Sequence, residues 1–103
     1  MKLFYSPASP FVRKVMVIAH ETEQAIERLG AKVSPVNRDA TVAAQNPLGK
    51  IPAALTPDGP LYDSRVICQY LDAQHSGAPF YPAAGPARWA ALRREALADG
   101  LLD

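Results

Sequence analysis

The chain has 103 residues, 49% of them apolar, enough for one small domain around one core with limited burial to spare. Eleven basic and ten acidic residues leave a formal net charge of +1, so there is no broad field to gather nucleic acid or an anionic membrane. The single cysteine, Cys68, excludes an intrachain disulfide framework and a Cys-x-x-Cys redox pair.

Lys2 to Tyr5 reads as a short strand closed by Ser6-Pro7. Its apolar run, Leu3-Phe4-Tyr5, is too short for a signal peptide, and no later stretch could span a bilayer, so a cytoplasmic, reducing setting is expected. Pro10 opens a helix in which Phe11, Val15, Ile18 and Val12, Met16, Ala19 recur at spacings of three and four. Periodicity permits two ends for it. It could run to Leu29 with Gly30 as C-cap, or stop near Glu21 to Glu23 and leave Glu27 to Val33 as a second strand. A small mixed sheet needs that strand, which favours the shorter helix. Ser34 to Gln45 reads as loop with one helical turn around Val42-Ala43-Ala44.

The stretch "NPLGKIPAAL" sets two prolines and a glycine around the start of a strand, Ala53 to Thr56. Pro57-Asp58-Gly59 is a turn signal, and Leu61-Tyr62 can pair back as a hairpin strand. Asp63-Ser64 starts a helix from Arg65 to about Gln74, with Val66, Ile67, Tyr70 and Leu71 as its expected buried stripe, each worth roughly 1.5–3 kcal/mol before entropy costs. "SGAPFYPAAGP", from Ser76 to Pro86, has linker composition. A last helix from about Pro86 carries Trp89, Leu92, Ala96, Leu97 and Leu101, and reaches Asp103 with no C-cap and no partner of its own to bury against. The expectation is a fragment lacking a helical second domain.

Three places could carry chemistry, and each also has a structural use. Ser9-Pro10 is a favoured helix cap, and the same geometry offers backbone N–H groups, the positive helix end and a hydroxyl that could donate to a thiolate. A free thiol has a pKa of about 8.5, which such a site can lower by a unit or more. Lys50-Ile51-Pro52 is a turn before a strand. With a cis bond at Pro52, Ile51 would offer its backbone N–H and C=O to an extended peptide. Asp63-Ser64 is a second helix cap, where Asp63 could attract an α-amino group and Ser64 hold an α-carboxylate. Cys68 is expected to be a buried, unreactive thiol, and Arg13, Lys14, Arg93 and Arg94 to be solvated faces. His20 and His75 stand apart with no metal-ligand spacing, so no metal is expected.

Together these features describe one ligand, a small peptide with a zwitterionic end, an extended middle and a thiol. The order strand, "SPF", "NPLGKIP", "YDSRVICQYLD", linker, helix closely resembles the glutathione transferases over essentially the whole chain. The resemblance implies an α/β fold: a thioredoxin-like βαβ-α-ββα domain with a mixed four-stranded sheet over residues 1–81, a linker at about 76–86, and the first helix of an all-α domain at 87–103. It implies glutathione as co-substrate, Ser9 as the catalytic hydroxyl, and Lys50, Ile51, Pro52, Asp63 and Ser64 as glutathione-binding residues. Tyr5 is the rival hydroxyl, because other branches use a tyrosine near the end of the first strand. Serine stands where relatives carry cysteine in Cys-Pro-Phe, which favours conjugation through glutathione's own sulfur over mixed-disulfide chemistry. A small electrophilic substrate and a homodimer are further implied. The alternative is a non-catalytic scaffold module of the same superfamily.

Overall fold

The computed structural model describes residues 1–30 and 40–102. Strand β1 (Lys2–Tyr5) lies inside a four-stranded sheet of order β2-β1-β3-β4. It pairs in parallel with β2 (Glu27–Gly30), from Lys2 opposite Glu27 to Tyr5 opposite Gly30. A parallel neighbour requires a crossover connection, which α1 (Pro10–Glu21) supplies. On its other edge β1 runs antiparallel to β3 (Ala53–Thr56), with Leu3 opposite Ala54, and β3 turns back into β4 (Gly59–Leu61). The mixed sheet and its element order agree with the sequence-based fold class.

Successive strand residues face opposite sides, and this chain fills both. Leu3 and Ala54 join a core formed with Val12, Val15 and Ile18 of α1 and Ile67, Cys68 and Leu71 of α3 (Ser64–Gln74). Phe4 and Ala53 face the other way onto Val42 of α2 (Ala40–Gln45). Each large apolar side chain so buried stabilises the fold by roughly 1.5–3 kcal/mol.

The helix with two permitted ends stops at Glu21. Thr22 turns its N–H (3.1 Å) and hydroxyl (2.6 Å) back onto the Ile18 carbonyl, and Glu23 takes a left-handed conformation at φ 55°. Gln24 then donates from its side chain to the Leu71 carbonyl at 2.8 Å, fastening this turn to the end of α3. The expected strand Glu27 to Val33 is present over Glu27–Gly30; its last three positions, and the expected loop at 34–39, lie outside the described residues. The helical turn expected at 42–44 is a six-residue helix.

Two expectations about β4 and α3 are corrected. The fourth strand is Gly59–Leu61, not Leu61-Tyr62. Thr56 pairs with Gly59 across the two-residue loop Pro57-Asp58, and Gly59 adopts φ 102°, which suits glycine alone, so pairing begins at once. Tyr62 leaves the strand as the chain turns to cap α3 through Asp63. On α3 the buried arc is Ser64, Ile67, Cys68, Leu71 and Asp72, while Val66 is 44% exposed. At 100° per residue Val66 falls nearly opposite that arc.

The last helix, α4 (Gly85–Leu102), has no buried residue, and Trp89, Leu97, Leu101 and Leu102 are all exposed. Polar ties hold it to the remainder. Lys14 of α1 bonds Glu95 at 3.1 Å and Asp99 at 3.0 Å, and the Tyr81 hydroxyl donates to Glu95. Lys14 is therefore half-buried in a three-membered ion cluster, not on the solvated face expected of it. Upstream, the buried Asp72 carboxylate accepts N–H bonds from Phe80 (3.0 Å) and Tyr81 (2.9 Å) and pairs with His75 at 2.7 Å, anchoring the segment that leads into α4. Among the described residues no helix is long and apolar enough to cross a membrane, and no group of three or more side chains could hold a metal ion.

Candidate functional site

A cleft of about 310 Å³ opens where the start of α1, the loop after α2, the start of α3 and the C-terminal half of α4 meet. Its walls include Lys50, Ile51, Pro52, Asp63 and Ser64, five residues singled out from the sequence and drawn from two separate segments. Phe11 contributes from α1, Asn46 and Leu48 from the loop, Arg65 from α3, and Ala96, Asp99 and Gly100 from α4.

Ser9 caps α1: its hydroxyl oxygen accepts the Val12 N–H at 3.2 Å, and Pro10 follows in the first helical turn. Accepting that bond uses one lone pair and leaves the hydroxyl proton uncommitted by it. Ser9 is not among the residues lining the cleft, whereas Phe11, two positions on, is. The turn Ser6-Pro7-Ala8-Ser9, closed by a 3.2 Å bond from Ser9 N–H to the Ser6 carbonyl, brings the chain from β1 to this point. Tyr5 is placed differently. Its ring packs against the core between sheet and helices, the Arg28 guanidinium lies 4.7 Å from the ring centre, and Tyr5 does not line the cleft.

The loop before β3 tightens at Gly49, which is buried at φ 66°, a left-handed position that favours glycine. Lys50 is exposed, Ile51 half-buried and Pro52 buried, and the Ile51-Pro52 bond is cis.

Asp63 caps α3 by accepting the Arg65 N–H at 3.0 Å, and the same carboxylate takes the Arg65 guanidinium at 2.8 Å and 3.3 Å. The Arg65 hydrogen bond holds the Asp63 carboxyl below the usual carboxylate range. Both side chains are about half exposed, so the pair contributes little to stability, about 0–1 kcal/mol. Two carboxylate oxygens offer about four acceptor sites, so an incoming ammonium group could still be received. Ser64 is buried at the first helical position, where its N–H has no intrahelical acceptor.

Burial opposes the charge on Lys14, but its bonds to Asp99 and Glu95 outweigh that and raise its pKa. Cys68 is buried, as expected, at 1% exposure, and burial pushes its thiol up to about 12, which favours the protonated form.

Sequence reasoning missed Arg65, Asn46 and the α4 wall. An arginine two residues after a capping aspartate was a readable signal for the first. A small amide ahead of a proline in a turn was a weaker one for the second. Nothing local marks Asp99 or Gly100, which reach the cleft only through the packing of a distant helix.

Residues 3–79 match the family model described as glutathione S-transferase, N-terminal domain. Over 105 aligned residues the chain is 37% identical to an uncharacterized GST-like protein, YibF, of Escherichia coli K12, covering 100% of this chain and 50% of that protein. Among solved structures it is similar to a glutathione transferase family member from Pseudomonas fluorescens Pf-5 with bound glutathione, at 53% identity and a TM-score of 0.95, covering 99% of this chain and 51% of that one. A structure of a glutathione transferase family member from the same organism with bound S-(propanoic acid)-glutathione matches at 51% identity and a TM-score of 0.85, covering 100% of this chain and 50% of that one. The chain thus spans about half the length of these relatives.

Proposed function

Since this chain belongs to the glutathione S-transferase family, we propose that its cleft binds glutathione and stabilises the thiolate for attack on an electrophilic carbon. The observation that carries this reading is the meeting of Lys50-Ile51-Pro52 and Asp63-Ser64 along one cleft beside the helix that Ser9 caps. In it, Asp63 receives the γ-glutamyl ammonium, and the Ser64 hydroxyl and N–H, at the positive end of α3, hold the adjacent carboxylate. The backbone N–H and C=O of Ile51 pair with the cysteinyl unit as a neighbouring strand would, with Lys50 alongside. The cysteinyl sulfur then lies toward the start of α1. There the Ser9 hydroxyl donates to the thiolate without ionising itself, and the positive helix end lowers the cost of the charge.

The reaction follows from that anion. The sulfur lone pair forms a carbon–sulfur bond while the displaced pair leaves with a departing group or moves along a conjugated acceptor, and the chain supplies orientation and a preorganised donor. The relative with a bound propanoic acid thioether supports a cleft open at its sulfur end to a substituent. Residues 1–81 act in this reading as the glutathione-binding domain, residues 76–86 as linker and 87–103 as the first helix of a helical domain. The electrophile, a homodimeric state and a cytoplasmic setting belong to the same reading.

Calorimetric titration of the chain with glutathione tests it. Saturable one-site binding is expected. No detectable heat at millimolar glutathione, from folded chain, would favour the non-catalytic scaffold module.

A further inference from the structure

We propose that Asn46, a residue with no part in the contacts assigned above, is a positioning residue that sets the glutathione-binding loop; this rests on the glutathione reading. Asn46 is 1% exposed and belongs to the cleft wall, yet its amide is spent inward on its own loop. Its Nδ2 donates to the Lys50 carbonyl at 2.8 Å, and its Oδ1 accepts the Leu48 N–H at 3.0 Å. Its backbone closes the same turn, accepting the Gly49 N–H at 2.8 Å and donating to the Val42 carbonyl at 2.8 Å. One buried side chain thus clamps two points of the segment that ends in Ile51. The Lys50 carbonyl belongs to the peptide unit whose other end is the Ile51 N–H. Gripping that carbonyl fixes the plane of the peptide and therefore the direction in which the Ile51 N–H points. A backbone donor that must meet an extended ligand needs that direction set beforehand, and among the described residues this loop has no strand partner at Lys50 or Ile51 to set it.

The test is glutathione affinity, by calorimetry, of wild type, Asn46→Ala, Asn46→Asp, Lys50→Ala, Asp63→Asn and the double variants. Asn46→Asp keeps the size and the Oδ1 acceptor but replaces the Nδ2 donor by an acceptor oxygen that repels the Lys50 carbonyl, and it serves as the second variant should the alanine variant not fold. Losing a buried hydrogen bond that orients the donor should raise Kd about tenfold in either variant that circular dichroism shows folded. Coupling separates positioning from general destabilisation. Lys50→Ala should cost clearly less in the Asn46→Asp background than in wild type, because both act through one loop. Asp63→Asn, on another element, should cost the same in both backgrounds. Wild-type affinity in folded Asn46→Asp, or equal additivity of all pairs, overturns the role of Asn46 alone. A wild-type chain that binds no glutathione overturns the glutathione reading and this role with it.

Discussion

Replacing Lys14 by methionine tests how a helix with no buried residue is kept on the domain. Methionine retains the apolar stem that lies along α1 and removes the charge. Two charge-assisted contacts disappear, to Glu95 at 3.1 Å and Asp99 at 3.0 Å. Fully desolvated, such bonds would contribute about 1.5–3 kcal/mol each. Lys14 retains 27% side-chain exposure, so water and salt screen part of this, and a combined loss of about 1–2 kcal/mol is expected. The variant also leaves Glu95 and Asp99, four apart on one helix, without their shared cation, so their repulsion adds to the loss. Because no residue of α4 joins the buried core, the loss should appear as local opening of this helix, with little change in the sheet and its two core faces. Amide hydrogen exchange of residues 88–100 should accelerate about 5- to 30-fold, with the exchange of β1 and β3 unchanged. Lys14→Arg should restore much of the protection. Exchange along α4 identical to wild type in Lys14→Met would refute the view that this ion cluster tethers the helix.

Ser9→Ala should raise the pKa of bound glutathione by about one unit while Kd changes only a few-fold, read from thiolate absorbance against pH; an unchanged titration would move the role to Tyr5 or to backbone donors. Asp63→Asn should weaken glutathione binding about tenfold by calorimetry, whereas loss of turnover at normal affinity would contradict a head-group contact. Asp72 makes a pH prediction. Burial disfavours its charge, but bonds from Phe80, His75 and Tyr81 outweigh that and hold its pKa below 3.8. A depressed carboxylate contributes stability above its unfolded pKa and loses it as pH falls through the folded value. Urea unfolding free energy should therefore decline below about pH 4, and less steeply in Asp72→Asn; parallel acid limbs would discount the network.

The two helix entrances were legible because caps are local. Ser9 and Asp63 are recognised by their own side chains and the residues just after them, and their bonds span only two or three positions. Strands β1 and β3 were legible as short apolar runs bounded by turn residues, but their pairing register, Leu3 opposite both Arg28 and Ala54, was not, because these runs carry no alternation to fix it. For the end of α1 the sequence permitted two readings, and the favoured shorter one is observed; what stops the helix was not readable, because Thr22 and Glu23 end it without glycine or proline and their turn is held by Gln24 reaching the distant Leu71 carbonyl. Val66 was misassigned for want of the angle at which α3 meets the sheet.

By itself the sequence determined what short-range chemistry can: strands, caps, turns, and the residue types that would suit a thiol peptide. Only the tertiary structure decided that Lys50, Ile51, Asp63 and Ser64 share a cleft, that Tyr5 stands apart from it, and that Asp99 and Gly100 form part of its wall. The physical reason is separation along the chain. Lys14 and Asp99 meet across 85 residues, and such a contact depends on how whole elements pack, which no window of neighbouring side chains encodes.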